Sequence, residues 1–510
     1  MATSLTDTQS VPNAGDFKVL LVYANSPMDN LMPVSISSLA GALKRRGFSI
    51  KLFDTTFYPW TSSAGGERGG SLQVAEFDYK KVGITFVETN VYDDFRKMVQ
   101  EYRPNLIALS SVEPTHEFGL RLLQCVDDMG IFTIMGGVHT IFSSEEVFRE
   151  EVVDMVCIGE GEKCLVELCE RMAEGLDYTN INNIWVKQDG KQYRNKKDRV
   201  LNMDDLPMLD FSIYDEKRLY RPMAGKLYRM APVEFSRGCI FKCAYCSAPS
   251  YAETFKDSGK WLRHKSIDRI IEEIKTYAEE YNIEYFYFVS ETFLAMSDQR
   301  FNEFVGQYSK IGIPFWFNTR PETITADRIK MLEGIGCHRM SVGVECGNEP
   351  YRREMLKRAV SNDAIVKACE IVAKSDIQLS VNNIIGFPDE TREMIFDTIF
   401  LNRKIEADSY SCSIFQPYRG TLLHKYCVDK GYINYRELAI DLTVTSVLKQ
   451  PCISSDEIKG LARTFPLYVK FPEGNFDIIR KAEKFDVEGE AVFKELSMRY
   501  REEYEGPKLW

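Results

Sequence analysis

The sequence lacks several features that would assign a protein to a membrane, an export route or a nucleic acid. No run of about 18 apolar residues occurs, so we expect no transmembrane helix. The first 16 residues have no basic start and no apolar stretch, so we expect a disordered leader rather than a signal peptide. The net charge is −11 at pH 7 and no basic block occurs, so we expect no nucleic-acid partner.

Cysteine, in contrast, is plentiful. The 510-residue chain has 13 cysteines and no export signal, which favours the reducing cytoplasm and indicates thiols or metal ligands rather than disulfides. An apolar content of 44% and a charged content of 27% are typical of a globular protein. At this length the chain can form two domains and a tail.

Three of the cysteines, Cys239, Cys243 and Cys246, form a compact C-x-x-x-C-x-x-C motif near the middle of the chain. A structural zinc site normally takes four ligands in two pairs, so this spacing is poor for zinc. A cubane iron–sulfur cluster usually takes four cysteines, and three would leave one iron open for another ligand. A strand-like run precedes the motif, so we expect it at the carboxyl end of a strand. Alternatively, the three cysteines belong to a mixed metal site or to a core.

The motif, with Tyr245 just before its third cysteine, resembles that of the radical S-adenosylmethionine (SAM) superfamily. The resemblance implies that Cys239, Cys243 and Cys246 bind a 4Fe–4S cluster whose open iron is chelated by SAM. It also implies that an electron from the cluster cleaves SAM to a 5′-deoxyadenosyl radical, and that Tyr245 faces the adenine. Such a cluster is sensitive to oxygen, so we expect an anaerobic or microaerobic cell.

Four strand ends further along the chain match motifs of the same superfamily in the same order. Glu291 keeps a carboxylate where many relatives have Asp-Asp-x-Phe, and Arg320 offers a fork-shaped partner for the SAM carboxylate. Glu345 lies in a run like the family's G-x-E-x-G, whose acid faces ribose hydroxyls or the SAM amino group. Gly386 and Pro388 belong to a run like the family's G-x-P-x-E-T turn on the adenine side. Each motif alone is typical of a turn with a helix cap.

The first 180 residues alternate short apolar runs with helical patterns, which predicts a doubly wound sheet of five parallel strands. Such sheets bind ligands beyond the carboxyl ends of their strands, where this chain has glycine-rich turns. The turns G-G-x-H and G-E-G-E are not the dinucleotide fingerprint. They resemble turns of the cobalamin-binding domain found in front of many radical SAM enzymes. The resemblance implies a cobalamin site at Ser111, Gly136, Gly137, His139, Gly159, Glu160, Gly161 and Glu162.

The D-x-H-x-x-G loop that carries the cobalt-ligating histidine of methionine-synthase-type domains is absent from this chain. The resemblance therefore implies a cobalamin whose nucleotide tail enters the sheet and whose cobalt has no histidine ligand. His139 is better explained as a histidine held by its own turn than as a cobalt ligand. Carboxylates at Glu160 and Glu162 would be favoured at a helix N-terminus even without a ligand, and the two roles are compatible.

Strand and helix patterns alternate again in the second half, from a first strand at 233–237 onward, and predict six β-α units. The Gly/Ser-rich stretch 61–72 predicts a loop, and Asp189-Gly190 predicts a hairpin turn. Trp316 is a candidate for the lining of the substrate pocket, as are its neighbour Phe317, Tyr418 and Arg419. The helical tail either caps the barrel mouth or presents a solvated face.

The predicted fold class is α/β. We expect a disordered leader, a doubly wound, Rossmann-like cobalamin-binding domain, a hairpin with a linker, a partial (β/α)6 radical SAM barrel and a helical carboxyl-terminal region, in that order. These occupy residues 1–16, 17–180, 181–225, 226–433 and 434–510.

The resemblance implies a cobalamin-dependent radical SAM enzyme of the class that includes radical methyltransferases and the anaerobic magnesium-protoporphyrin monomethyl ester cyclase. In the methyltransferase form, one SAM methylates cob(I)alamin and a second yields the radical that abstracts hydrogen from an unactivated carbon. The substrate radical then takes the methyl group from methylcobalamin. The alternatives are a non-methylating cyclase or rearrangement enzyme, and a cobalamin or redox sensor. We expect a small-molecule or peptide substrate and a reductant such as flavodoxin or ferredoxin, in the cytoplasm.

Overall fold

The computed structural model describes residues 14–61, 64–75 and 77–505. Residues 1–13 of the predicted leader lie outside the described residues, and Ala14–Asp16 form a short 3-10 turn. The chain divides into two compact units. The first contains most residues before Tyr220, together with Tyr251–Arg269, and the second contains Ala64–Val82, Tyr220–Ser250 and the chain from Ile270 onward.

The first unit is built on a sheet of seven strands among the described residues. Five are parallel, in the order β2-β1-β3-β4-β5, and β6 and β7 add an antiparallel hairpin at one edge. The parallel part confirms the doubly wound fold predicted for the front of the chain. The strands are β1 (Lys18–Tyr23), β2 (Ser49–Asp54), β3 (Leu106–Ser110), β4 (Phe132–Gly136), β5 (Met155–Cys157), β6 (Ile184–Gln188) and β7 (Lys191–Arg194).

Helices cover this sheet because their apolar positions recur at helical spacing and find an apolar strand face to bury against. Strand β1 is the centre of the core, and its residues Val19 to Val22 have no solvent exposure. The helix Val91–Tyr102 has a signal at each end: the side chain of Asn90 caps its start, and Arg103 ends it with a left-handed φ of 52°. The helices are Val34–Arg45, Val91–Tyr102, His116–Gln124, Val138–Phe142, Ser144–Val147 and Gly161–Ala173.

The second unit is built on a second seven-stranded sheet among the described residues. Six parallel strands, in the order β14-β13-β12-β11-β10-β9, form the predicted partial barrel, and β8 pairs antiparallel with β9 at its edge. The strands are β8 (Tyr220–Met223), β9 (Lys226–Glu234), β10 (Tyr285–Val289), β11 (Phe315–Thr319), β12 (Cys337–Glu345), β13 (Gln378–Ile385) and β14 (Ser409–Ile414).

The first barrel strand differs from its predicted position at 233–237. It begins at Lys226 because it is one arm of a hairpin whose turn, Ala224-Gly225, has two positive φ angles. Pro222 lies in the other arm, β8, which is an edge strand where a missing N–H is tolerated. Since this stretch carries no alternating apolar pattern, the sequence alone did not reveal the hairpin.

Helices pack on the outer face of the barrel sheet, and their bounds follow the predicted alternation. The described helices in this part of the chain are Ala248–Thr254, Ile267–Tyr281, Asp298–Tyr308, Ala326–Gly334, Glu349–Glu354, Asn362–Ala373, Arg392–Asn402 and Leu422–Asp429, then Ser455–Lys470, Phe476–Ala482 and Val487–Tyr500 in the tail. None of the helices in the described ranges is both long enough and apolar enough to cross a membrane.

The predicted loop at 61–72 is wrong for most of its length, because Ala64–Gly70 form a helix that belongs to the second unit. The segment that follows is held by tertiary contacts. Gln73 is buried; its Oε1 accepts a 2.9 Å hydrogen bond from the Cys412 N–H, and its Nε2 donates one of 3.2 Å to the carbonyl of Ala462. The Gly/Ser composition favours a loop, and these contacts of Gln73 with distant residues cannot be read from the local sequence.

Candidate active site

The cysteine motif lies in a loop after strand β9 that is anchored at its first residue. Gly238 has a φ of 103°, a left-handed value that glycine adopts without a Cβ clash. Its N–H donates a 2.8 Å hydrogen bond to Oε1 of Glu291, which follows strand β10. Burial raises the pKa of Glu291, and the Gly238 N–H opposes that shift. Glu291, predicted to contact SAM, is thus placed to hold the cysteine loop.

Each of the three cysteine sulfurs has a polar neighbour. Sγ of Cys239 lies 3.8 Å from the hydroxyl oxygen of Thr292. Sγ of Cys243 accepts a 3.0 Å hydrogen bond from Nη1 of Arg320, and Sγ of Cys246 accepts one of 3.5 Å from the backbone N–H two residues further on. Burial nevertheless raises the pKa of Cys239, so its proton has to leave when iron binds.

This donor set fits an iron–sulfur cluster. Three thiolates are soft ligands of the kind that such clusters take. Burial raises the pKa of Cys246 to about 11, so a bound metal would have to displace its proton. Among the described residues no three His, Cys, Asp or Glu side chains converge on one ion. A cubane does not require such convergence, because each cysteine binds a different iron.

Arg320, predicted to pair with the SAM carboxylate, is placed against the cysteine loop. Its guanidinium stacks on Phe241 at 3.7 Å from the ring centroid and donates to Cys243. It also forms an ion pair with Glu322, two residues further along the chain. The acid and the aromatic ring fix the fork of Arg320 in one orientation, with a nitrogen at a predicted cluster ligand.

A second arginine organises the predicted adenine side. Arg358 is buried, and its Nη1 donates a 3.1 Å hydrogen bond to the hydroxyl of Tyr245. Its Nη2 donates to the carbonyl of Gly343 at 2.6 Å, and Nη1 lies 3.8 Å from Oε1 of Glu345. Burial raises the pKa of Glu345, and Arg358 opposes the shift. Glu345 has a φ of 69°, a conformation that costs a side-chain-bearing residue free energy.

The turn after β13 is tied together by a buried carboxyl group. Oε2 of Glu390 accepts hydrogen bonds from the N–H of Gly386 at 2.7 Å and of Phe387 at 3.1 Å. Burial raises the pKa of Glu390 to about 8. The Phe387 ring lies 5.7 Å from that of Tyr245, and Pro388 accepts through its carbonyl a 2.7 Å hydrogen bond from a tyrosine hydroxyl. The turn therefore reaches the Tyr245 ring through Phe387.

In the first unit, the predicted cobalamin residues Ser111 and Gly137 lie at the adjacent ends of β3 and β4. Gly137 has a φ of 107°, and a Cβ on it would lie 2.2 Å from the carbonyl oxygen of Ser111. The N–H of Ser111 donates a 3.2 Å hydrogen bond to the carbonyl of Gly136. The two strand ends are therefore packed backbone to backbone, which requires glycine at 137.

His139 follows that turn but is not a surface residue. It is 3% exposed; its ring centroid lies 4.3 Å from that of His116, and its Nδ1 lies 3.9 Å from Oε2 of Glu113. All three side chains are buried. The structure thus gathers a buried Glu-His-His cluster at the carboxyl ends of β3 and β4, beside Ser111.

The two carboxylates of the G-E-G-E turn have partners within the first unit. Glu160 accepts a 2.7 Å hydrogen bond from the N–H of Val200 and forms a 2.5 Å ion pair with Arg263. It occupies the N-cap position of helix Gly161–Ala173 without making a side-chain capping bond. Oε1 of the buried Glu162 accepts a 2.9 Å hydrogen bond from the hydroxyl of Ser38. Both acids therefore hold the turn in place.

The glycines of that turn lie close to side chains of the same unit. A Cβ on Gly159 would lie 2.6 Å from Oδ1 of Asn183, and one on Gly161 would lie 3.0 Å from a methyl of Leu39. Asn183 itself donates to the carbonyl of Glu160 at 3.1 Å. The space that glycine leaves at these two positions is therefore occupied by side chains of the same unit, those of Asn183 and Leu39.

Sequence reasoning missed three groups of residues that the structure places at these sites. Arg358 lies in a loop without a recognisable motif, so no local signal could have found it. Glu113 precedes a helix with an ordinary pattern, His116 is the first residue of that helix, and both join His139 only in the folded sheet. Glu390 belongs to the G-x-P-x-E-T-like run that the sequence showed, but the sequence did not show that its carboxyl group is buried.

Comparison with known proteins agrees with both halves of this description. Residues 233–401 match the radical SAM superfamily, and residues 21–169 match the B12 binding domain. An uncharacterized methyltransferase of Pyrococcus horikoshii is 27% identical over 399 residues, which cover 75% of this chain and 82% of that protein. An anaerobic magnesium-protoporphyrin IX monomethyl ester cyclase of Rubrivivax gelatinosus is 23% identical over 350 residues, covering 66% of this chain and 61% of the cyclase.

Among solved structures, the fold is similar to that of OxsB, described as a cobalamin-dependent S-adenosylmethionine radical enzyme with aqua-cobalamin and SAM bound. The TM-score is 0.62 at 14% identity, covering 95% of this chain and 71% of OxsB. At this identity the likeness shows the fold alone, and it confirms the predicted order of a front domain followed by a partial barrel.

Proposed function

We propose that this chain, a radical SAM enzyme with a B12-binding domain, methylates an unactivated carbon of its substrate. The cofactors of the enzyme are a 4Fe–4S cluster, SAM and cobalamin. When bound, the cluster supplies the electron that cleaves SAM and the cobalamin carries the methyl group. Similarity to an uncharacterized methyltransferase over 82% of that protein supports methyl transfer over other reactions of this class.

The observation that carries the radical half of the proposal is the anchored cysteine loop. Glu291 holds the loop through Gly238, and Arg320 donates to the sulfur of Cys243. A fixed loop presents its three thiolates in one arrangement, which an open-iron cluster needs so that its fourth iron faces SAM. Arg320 is a cation at a sulfur ligand, so it would also stabilise the more negative, reduced cluster.

We propose that Tyr245, Glu345 and Arg358 form one wall of the SAM site. Arg358 fixes the Tyr245 ring through its hydroxyl and lies within reach of the Glu345 carboxylate. The Phe387 ring lies beside the Tyr245 ring. An aromatic edge and a carboxylate held by one guanidinium suit an adenosine, whose base is flat and whose ribose offers hydroxyl donors.

For the front unit, we propose that cobalamin binds at the carboxyl ends of β3, β4 and β5. The glycine turns at Gly137 and Gly159 lie there, as does the buried cluster of Glu113, His116 and His139. Buried histidines and a carboxylate at a strand end offer hydrogen-bond donors and acceptors to a large polar ligand. His139 is proposed to contact the corrinoid through such bonds and not as a cobalt ligand.

A radical SAM enzyme needs a reductant and a substrate. We propose flavodoxin or ferredoxin as the electron donor and the cytoplasm as the compartment. None of the 13 cysteines, all of which lie in the described ranges, forms a disulfide, and this agrees with the reducing compartment that we propose.

The proposal is tested by anaerobic reconstitution with iron, sulfide and hydroxocobalamin, followed by a reductant-driven assay with SAM. The expected products are 5′-deoxyadenosine and S-adenosylhomocysteine, the second because a methyl donor is consumed. The second candidate, a non-methylating cyclase or rearrangement enzyme, is favoured by the similarity to the Rubrivivax gelatinosus cyclase. It predicts 5′-deoxyadenosine without S-adenosylhomocysteine, and a product that gains no methylene mass. Absence of both compounds would contradict both candidates.

A further inference from the structure

The inner face of the barrel sheet is partly exposed to solvent. Along β13 the side chains alternate strictly: Gln378, Ser380, Asn382 and Ile384 are half-buried, whereas the residues between them are buried under helices. Strand β11 repeats the pattern with half-buried Trp316 and Asn318. Alternate residues of a strand point to opposite faces, so these half-buried side chains line one continuous interior, which we call the lumen.

One wall of the lumen is aromatic. The rings of Tyr287 on β10 and Trp316 on β11 are stacked, with centroids 4.3 Å apart and planes 23° from parallel. Met223, Met230 and Tyr285 form a buried apolar cluster against which these two rings pack. The wall is therefore rigid, and the ring faces are held by neighbouring strands and not by a mobile loop.

Arg221 lies on this wall from the edge strand β8. Its guanidinium carbon is 5.4 Å from the centroid of the Trp316 ring. Nη1 is buried without a hydrogen-bond partner, and within the described part of the chain Arg221 forms no ion pair. Stacking on an aromatic face orients a guanidinium but satisfies none of its N–H donors.

A second arginine, Arg339, lies on β12, the strand that pairs with β11. Arg339 pairs in register with Trp316, and it donates hydrogen bonds only to neutral oxygens, those of Ser380 at 2.7 Å, Ser409 at 2.6 Å and Gln378 at 3.1 Å. The lumen therefore has two cations on either side of Trp316 whose hydrogen-bond partners include no carboxylate. Both side chains are half-buried, but Nη1 of Arg221 is fully buried, and a buried N–H of a cation without an acceptor is costly unless a bound anion compensates it.

We infer that the substrate carries a carboxylate or phosphate group, and that Arg221 binds this group in the lumen beside the Trp316 ring. The inference rests on the proposed function, because it takes the lumen as the substrate site. The unsatisfied N–H edge of Arg221 offers the parallel donors that a carboxylate or phosphate accepts bidentately. Arg339 adds positive potential on the other side of the ring and favours the same sign of charge.

The test is calorimetric titration of the reconstituted enzyme with two probes, benzoate and inorganic phosphate. We expect saturable binding of at least one probe to the wild type, with a dissociation constant on the order of 1 mM. Arg221→Gln should weaken it about 10-fold to 100-fold, the usual effect of losing hydrogen bonds to a charged group. Arg221→Lys keeps the positive charge but loses the two-nitrogen fork, so its affinity for the probe should lie between those of the wild type and Arg221→Gln.

Arg353→Gln is the matched control, because Arg353 is exposed on a helix and its loss removes the same charge outside the lumen. Substrate-free formation of 5′-deoxyadenosine is measured in every variant. It should be unchanged in Arg221→Gln, which shows that the variant is folded and that the cluster works. Preference for phosphate or for benzoate identifies the group that the substrate carries.

Two results would overturn the inference: neither probe binds the wild type, or Arg221→Gln binds both as well as Arg353→Gln does. Loss of 5′-deoxyadenosine from the wild type would contradict the proposed function instead, and the two failures are therefore distinguishable. If Arg221→Gln does not fold, Arg221→Lys decides: unchanged affinity in that variant contradicts bidentate binding.

Discussion

Replacing the buried carboxyl group of Glu390 by an amide should change how stability depends on pH. Glu390 is fully buried, and its pKa is raised from 4.5 to about 8 by that burial. Between these values the folded protein keeps a proton that the unfolded chain has lost. The contribution of Glu390 to stability is therefore fully present below pH 4.5 and is lost as the pH rises towards 8.

The magnitude follows from the same interval. At about 1.4 kcal/mol per pH unit, the rise from 4.5 to about 8 corresponds to a loss of about 5 kcal/mol. The amide introduced by Glu390→Gln cannot titrate, and its oxygen can still accept from the N–H groups of Gly386 and Phe387. As the pH rises from 4.5 to about 8, the unfolding free energy of the variant should therefore increase relative to that of the wild type by about 1.4 kcal/mol per pH unit. Above pH 8 the difference should stay constant.

The assay is urea unfolding under anaerobic conditions between pH 5 and pH 9, with the wild type and variant compared at each pH so that other titrating groups cancel. Glu393→Gln is the matched control, because Glu393 lies on the helix that follows this turn and is exposed, and burial of Glu390 is the cause being tested. Parallel stability curves for the wild type and Glu390→Gln would refute the reasoning, since they would mean that Glu390 is ionised in the folded protein.

Three further predictions concern the cofactor sites. Gly137→Ala should lower corrinoid retention after desalting at least tenfold and destabilise the first unit by about 2 kcal/mol, because its Cβ would lie 2.2 Å from a carbonyl oxygen. Gly130→Ala is the control for backbone strain alone, because Gly130 has a left-handed φ of 62° and its Cβ would meet nothing. Arg358→Lys removes a two-nitrogen fork and should weaken SAM about tenfold in equilibrium dialysis while iron content stays constant; equal affinity would contradict its role. Cys243→Ala should abolish cluster absorbance and 5′-deoxyadenosine but leave corrinoid bound, unlike the exposed-thiol control Cys452→Ala.

Some features were predictable because their signal is local. The spacing of Cys239, Cys243 and Cys246 and the alternation of apolar runs with helical patterns both lie within short windows of sequence. Periodicity places elements well when one face is buried, and it placed most barrel strands and helices within a few residues of their observed bounds. The true start of β9 was missed because it depends on its hairpin partner β8. The helix Ala64–Gly70 was missed because its Gly-rich composition favours a loop.

The sequence by itself determined that this chain has a three-cysteine loop after a strand, glycine turns at strand ends and two α/β halves, since these depend on neighbours along the chain. Only the tertiary structure decided which side chains meet: Arg358 with Tyr245, His116 with His139, and Arg221 with Trp316. It also decided that Glu160 is tied to Arg263. The physical reason is that these contacts join residues from 23 to 113 positions apart along the chain. Burial, which shifts the pKa values of these side chains and decides which hydrogen-bond partners they have, arises only once the sheets have formed.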